Sequence, residues 1–150
     1  MNIPYYNEKW GLPMGTILQN TVPKYLGIKH EYDGNNCLSI IFDFYEKELG
    51  KSLKDTLSRV DTDLKVDKKW FTKFTTNVVS EESKYFKQIS LVDLHNFDIL
   101  VFKDGKGRVN HFGMYVNSLQ FLHLPENSYS SLSPLDDYWR NRLYGCYRKV

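Results

Sequence analysis

The hydrophobic rhythm of this chain changes once, from a helical period to strand-like alternation, and that change constrains the fold more than any other feature. Leu38, Ile41, Phe42, Tyr45 and Leu49 recur at i, i+3, i+4, i+7 and i+11, the stripe of an amphipathic helix. Asn35 or Asn36 can cap it, and Gly50 ends it. From Asp98 the pattern is different. Asp98-Ile99-Leu100-Val101-Phe102-Lys103 is a β-branched and aromatic run, Asp104-Gly105-Lys106-Gly107 is a turn, and Arg108 to Val116 is a second strand. Asn117-Ser118 marks another reversal before Leu119-Gln120-Phe121-Leu122-His123-Leu124, and Pro125 stops that third strand. The expected fold is therefore α+β, with one principal helix beside an antiparallel meander.

The remaining stretches carry less signal. The first 30 residues hold Pro4, Gly11, Pro13, Gly15, Pro23 and Gly27, which favours an irregular arm with one short helix. Ser52 to Lys69 alternates charges without a period and reads as a surface loop with a short helix. Asp67-Lys68-Lys69-Trp70 opens a second helical candidate, with Trp70, Phe71, Phe74 and Val78 on one side as core. Tyr138 to Arg142 predicts a short helix or turn, and Tyr144 to Arg148 a closing strand. The domain reading is an N-terminal arm over 1–24 and one folded domain over 25–150.

Length and charge exclude several classes. At 150 residues the chain is long enough for one real core, and its 41% hydrophobic and 15% aromatic content is that of a globular protein. Twenty basic residues against 18 acidic ones leave +2, and the signs alternate instead of forming a patch, so nucleic-acid binding has little support. Two distant cysteines, Cys37 and Cys146, do not make a disulfide scaffold, and a reduced compartment is the easier reading. Residues 1–10 lack the features of a secretory signal, and no apolar run approaches the roughly 18–20 residues that insert across a bilayer.

Cys37 stands at the first turn of the predicted helix, where unpaired N–H groups and the dipole favour an anion. This predicts a lowered thiol pKa and a nucleophile. The competing reading is a small buried hydrophobe, and the same reading applies to Cys146. A nucleophilic thiol needs a base, for which His serves best near neutral pH. His111 lies mid-strand, with Gly113 on its own face leaving open space for a ligand. His123 follows 12 residues later. A register symmetric about Asn117 would place the two rings directly opposite each other, whereas a two-residue hairpin would place them on opposite faces unless a bulge intervenes. In the favourable register Cys37 attacks, His111 acts as base and then acid, and His123 holds His111 in place. The expected resting pair is thiolate with imidazolium. A structural His pair, or two unrelated half-buried histidines, remains the alternative, and zinc binding has poor support because no short local ligand pair exists. No metal or cofactor is expected, and His30 and His95 carry no argument beyond a substrate contact.

Two stretches of this sequence resemble the NlpC-like family of papain-type cysteine peptidases. The first runs from Tyr25-Leu26-Gly27 through Asn35-Asn36-Cys37 to Phe44-Tyr45-Glu46-Lys47-Glu48-Leu49-Gly50, and is similar to the tail-assembly branch found in bacteriophages. The second is Phe97 to Phe102, Asn110-His111-Phe112-Gly113-Met114-Tyr115-Val116 and Phe121-Leu122-His123. The resemblance implies a papain-like fold and a catalytic Cys37, His111 and His123. It also implies peptidoglycan stem peptides as substrate, tail-tip proteins as partners, and a place in the virion after synthesis in the host cytoplasm. It departs at Asn36, where the family has Asp, at Ser39 and Phe97, where it has Gly, and at Lys29-His30, where it has a Pro-aromatic pair. Tyr32 and Asn36 are the candidate substrate contacts. These departures motivate a second expectation, a structural tail-tip protein with a weakened site. A third is a wall amidase of the related CHAP type.

Overall fold

The computed structural model describes residues 20–32, 34–53, 74–76, 78–79 and 85–150, with the backbone of 6–7 and 12–13. Most of the predicted N-terminal arm, the charged stretch over 54–69, and Trp70 and Phe71 of the second helical candidate lie outside the described residues. Phe74 and Val78 of that candidate are helical and buried, as the spacing predicts.

Helix α1 spans Cys37–Glu48. Asn36 caps it: its side-chain oxygen accepts from the N–H groups of Leu38 and Ser39, at 3.0 Å each. Ser39 Oγ in turn accepts from the Asn36 N–H at 2.7 Å, closing a reciprocal capping box. At the other end Gly50 takes φ +62, the left-handed conformation that costs glycine nothing. The buried face carries Leu38, Ile41, Phe42 and Tyr45 and extends to Ile40 and Phe44.

Strands β1 (Tyr6–Asn7) and β2 (Leu12–Pro13) form a short separate ladder. The main sheet holds β3 (Phe86–Ile89), β4 (Ile99–Lys103), β5 (Val109–Asn117), β6 (Gln120–His123), β7 (Ser131–Pro134) and β8 (Leu143–Lys149) in the order β3-β8-β4-β5-β6-β7. All the described neighbours are antiparallel. β4 to β7 continue the predicted meander by one strand, and β8 closes the sheet by entering between β3 and β4. A short helix, α2 (Asp137–Arg140), joins β7 to β8. Helix α1 packs on β5 and β6, in one core with Phe112, Met114, Val116, Leu122 and Leu124. Leu100, Phe102, Phe121, Leu135 and Cys146 form a second cluster, against which Tyr115 and Trp139 pack.

The start of β4 is anchored by charge. Asp98 is 2% exposed and bonds Arg148 of β8 through both carboxylate oxygens, at 2.9 Å each, and the His95 N–H at 2.7 Å. A bidentate guanidinium and a backbone donor together satisfy a carboxylate that would be costly to bury alone. Phe97, immediately before it, takes φ +77. This is the left-handed backbone that costs a non-glycine residue about 1 kcal/mol, and it accounts for the glycine of the resembling family at this position. Burial of the Phe97 ring, 5.4 Å from Phe44, offsets that cost here. Its carbonyl accepts from the Tyr45 hydroxyl, which ties β4 to α1.

Candidate active site

The cap of α1 determines which donors remain at its start. Asn36 takes the N–H groups of Leu38 and Ser39 through its side chain and that of Ile40 through its carbonyl. The cap does not use the Cys37 N–H, which acts on its own sulfur. The groups acting on the thiol include the backbone N–H of Phe112, the residue directly after His111. The thiol thus meets the backbone of β5 one residue from His111.

The expected acidic thiol is not what the structure holds. Cys37 is only 9% exposed, and burial pushes its thiol up to about 11. The N–H groups of Phe112, Cys37 and Leu38 pull the other way and are outweighed. Desolvation of the charged form exceeds what a helix end contributes, because three partial dipoles do not replace a full hydration shell. The predicted thiolate is replaced by a neutral thiol.

The two histidines do meet, by a route different from symmetric pairing. β5 and β6 are joined by a two-residue turn, Ser118-Leu119, with both residues at positive φ and Asn117 opposite Gln120. With such a turn, residues separated by an even number fall on opposite faces. A bulge at Val116 adds one residue to β5, so that Tyr115 faces Phe121 and Met114 faces Leu122. One step further along this register His123 is opposite Gly113, and His111 is its diagonal neighbour on the same face. The rings span that diagonal: His111 Nε2 lies 2.8 Å from His123 Nδ1.

The chain of polar contacts continues beyond these two residues. His123 Nε2 lies 2.7 Å from Ser133 Oγ on β7, a partner the sequence analysis did not single out. The clue would have been Leu132, Ser133 and Pro134 read as a strand, with Ser133 on the face of Phe121. Trp139 of α2 packs against both imidazoles, 5.8 Å from His111 and 5.1 Å from His123 by ring centroids, together with Phe102 and Phe121. This aromatic surround removes water. It holds His111 down to about 3, with the second ring adding to the effect, and His123, which is 1% exposed, down to about 4. Near neutral pH both rings are uncharged, in place of the expected imidazolium.

The space beside Gly113 is also not open to a ligand. A Cβ built there would lie 2.7 Å from Phe121 Cδ2 and 3.4 Å from both the Leu122 carbonyl oxygen and Phe102 Cε2. The Phe121 ring fills the gap, a cross-strand aromatic covering a glycine, as the diagonal register allows. Gly113→Ala is therefore expected to destabilise the fold by about 1–3 kcal/mol. The same change should displace the Phe121 ring, whose centroid is 4.4 Å from that of His123. Urea titration checks the first expectation and imidazole chemical shifts the second; wild-type values in both would remove this account of the glycine.

Tyr32 is 68% exposed and its hydroxyl bonds Glu126 Oε1 at 2.9 Å and Asn127 Oδ1 at 3.0 Å, linking the loop before α1 to the loop after β6. His30 meets Tyr32 edge-on at 5.0 Å, with its Nδ1 buried and unpartnered among the described residues. The side-chain oxygen of Asn36 is occupied in the cap of α1. His95 is exposed and serves β4 through its backbone, and Cys146 packs in the second cluster.

The comparisons with known proteins agree with this architecture. Among solved structures, an NLP/P60 family protein similar to a lipoprotein from Staphylococcus aureus subsp. aureus Mu50 aligns over 97% of this chain and 43% of its own. Its TM-score is 0.59 at 18% identity. An NlpC/P60 family protein from Bacillus cereus ATCC 10987 aligns over 98% of this chain and 41% of its own, with a TM-score of 0.61 at 20% identity. The NlpC/p60 domain of the peptidoglycan hydrolase SagA aligns over 89% of this chain and 97% of its own, with a TM-score of 0.54 at 15% identity. This chain thus spans about two fifths of the first two structures and nearly all of the third. No curated protein matches it. The family profile described as NlpC/P60 matches residues 24–148, nearly the whole of the sheet and helix described above, and the chain belongs to the NlpC/P60 family.

Proposed function

We propose that this protein is a cysteine peptidase that hydrolyses amide bonds of peptidoglycan stem peptides, and that it does so as a component of a phage tail. The observation that carries the chemistry is the 2.8 Å bond between His111 and His123 on the strand pair beside the thiol at the start of α1. The substrate class is supported by family membership and by the named peptidoglycan hydrolase among the structural neighbours. The tail setting, with tail-tip proteins as partners and the virion as location, rests on the resemblance of Tyr25 to Gly50 to the tail-assembly branch.

In this reading the Cys37 sulfur attacks the carbonyl carbon and its proton passes to His111 Nδ1, the ring nitrogen not engaged with His123. The developing oxyanion accepts from the Cys37 N–H. His111 then donates the proton to the amine as the C–N bond breaks. A water deprotonated by His111 attacks the thioester and releases the thiol. Because thiol and ring both rest neutral, the proton leaves sulfur during the attack and not before it. Tyr32 is the proposed substrate contact on the loop before α1, and Asn36 contributes by holding the helix start.

The neutral pair also favours a second reading, a tail-tip structural protein with a weak peptidase site. Cell-wall zymograms of wild type beside Cys37→Ala separate the two. Clearing by wild type alone is expected. Equal clearing, or none from either, transfers the assignment to the structural role.

A further inference from the structure

The peptidase reading assigns roles to three side chains, but the polar chain does not stop at the third. We propose that Ser133 is a positioning residue that sets the tautomer of both imidazoles, accepting from His123 so that His111 is left with a bare Nδ1. This inference deepens the peptidase reading and rests on it for its catalytic consequence, although the tautomers themselves can be observed without turnover.

Two short bonds link the hydrogens of the two rings. His111 Nε2 and His123 Nδ1 are 2.8 Å apart, so one of these nitrogens carries a hydrogen and the other does not. For His111 to take a proton at Nδ1, its own hydrogen must sit on Nε2 and be donated to His123. His123 then has a bare Nδ1 and must carry its hydrogen on Nε2. That hydrogen points at Ser133 Oγ, 2.7 Å away. Each neutral ring has one hydrogen, so the choice at one end of the chain dictates the choice at the other.

Ser133 can hold this end because of where the sheet places it. β6 and β7 pair with Phe121 opposite Ser133 and His123 opposite Ser131, so Ser133 shares the face of His123 one diagonal step away. The rings of Phe121 and Trp139 also pack against His123. Without the hydroxyl, a hydrogen on Nε2 would lose its acceptor, whereas a hydrogen on Nδ1 would still find His111. Removing Ser133 Oγ therefore favours the reversed chain. His123 donates from Nδ1, His111 accepts at Nε2, and the one hydrogen of His111 moves to Nδ1, where it blocks proton uptake from sulfur. His123 is 1% exposed, which disfavours water substituting for the lost acceptor.

The test is long-range proton–nitrogen correlation on ¹⁵N-labelled protein at pH 7, for wild type, Ser133→Ala and Ser133→Thr, with turnover of a stem-peptide substrate measured in parallel. Wild type and Ser133→Thr should show hydrogen on Nε2 of both rings, and Ser133→Ala hydrogen on Nδ1 of both. The kcat of Ser133→Ala should fall about 10- to 100-fold, in the range that general base catalysis supplies. KM should stay within about twofold, and threonine should restore most of the rate. Nε2 hydrogens retained in Ser133→Ala would overturn the proposal whatever the rate. If wild type shows no turnover while the tautomers still follow residue 133, the peptidase reading fails and the positioning role stands. A melting scan of each variant identifies any loss of fold.

Discussion

At pH 7 iodoacetamide is expected to modify Cys37 about thirtyfold more slowly than free cysteine, with the rate rising about tenfold per pH unit up to pH 10. The first figure combines two opposed effects. A thiol pushed up to about 11 holds about 300-fold less thiolate at neutral pH than one near 8.5. The higher pKa makes each thiolate intrinsically more nucleophilic, which returns about tenfold. Burial controls the outcome because the thiol is enclosed by α1 and β5 and only backbone N–H groups oppose the loss of water. Mass spectrometry of the alkylated peptide distinguishes Cys37 from Cys146, which burial also pushes up to about 11. A rate that is flat from pH 5 to 7 and exceeds that of free cysteine would mean a thiolate–imidazolium pair, and would contradict the neutral resting state described here.

Acid should weaken the fold through the two site histidines well before the carboxylates protonate. His111 is held down to about 3 and His123 to about 4, against about 6.5 in an unfolded chain. Below pH 6.5 the unfolded state binds protons that the native rings refuse, so stability falls as pH falls. The fall continues until the native rings themselves protonate near pH 4 and then near pH 3. By pH 5 each ring costs up to about 2 kcal/mol relative to neutral pH, or about 4 kcal/mol for the two. Urea titrations at pH 7 and pH 5 measure this, and the His111→Gln/His123→Gln double variant should lose most of the difference. The slope between the two pH values is the informative quantity, since the double variant also changes packing. An unchanged slope would mean that the rings are hydrated and that the aromatic surround does not exclude water.

The sequence was most readable where a periodic pattern met a residue with one obvious physical task. Cys37 follows an asparagine cap and opens a stripe ended by Gly50, and α1 forms over that stripe. His111 and His123 sit in runs of strand-forming residues, and the hairpin joins them. What could not be read depended on contacts between segments. The Val116 bulge is not visible in local composition, and it alone decides that an even separation keeps both rings on one face. Ser133 lies in Ser131-Leu132-Ser133-Pro134, a stretch without strong strand character that becomes β7 only by pairing with β6. The open space expected at Gly113 was filled by a ring from the next strand. The thiol pKa was misjudged because the helix end is written in the sequence, whereas the enclosure of the sulfur is a property of the assembled fold.

The bulge also changes how relatives of this chain should be looked for. A separation of twelve positions between the paired imidazoles is not itself a requirement: a chain with a separation of eleven and a plain two-residue hairpin would present the same rings on the same side. A search template that insists on the longer interval would pass over such chains. One that lets the count and the irregularity vary together would retain them.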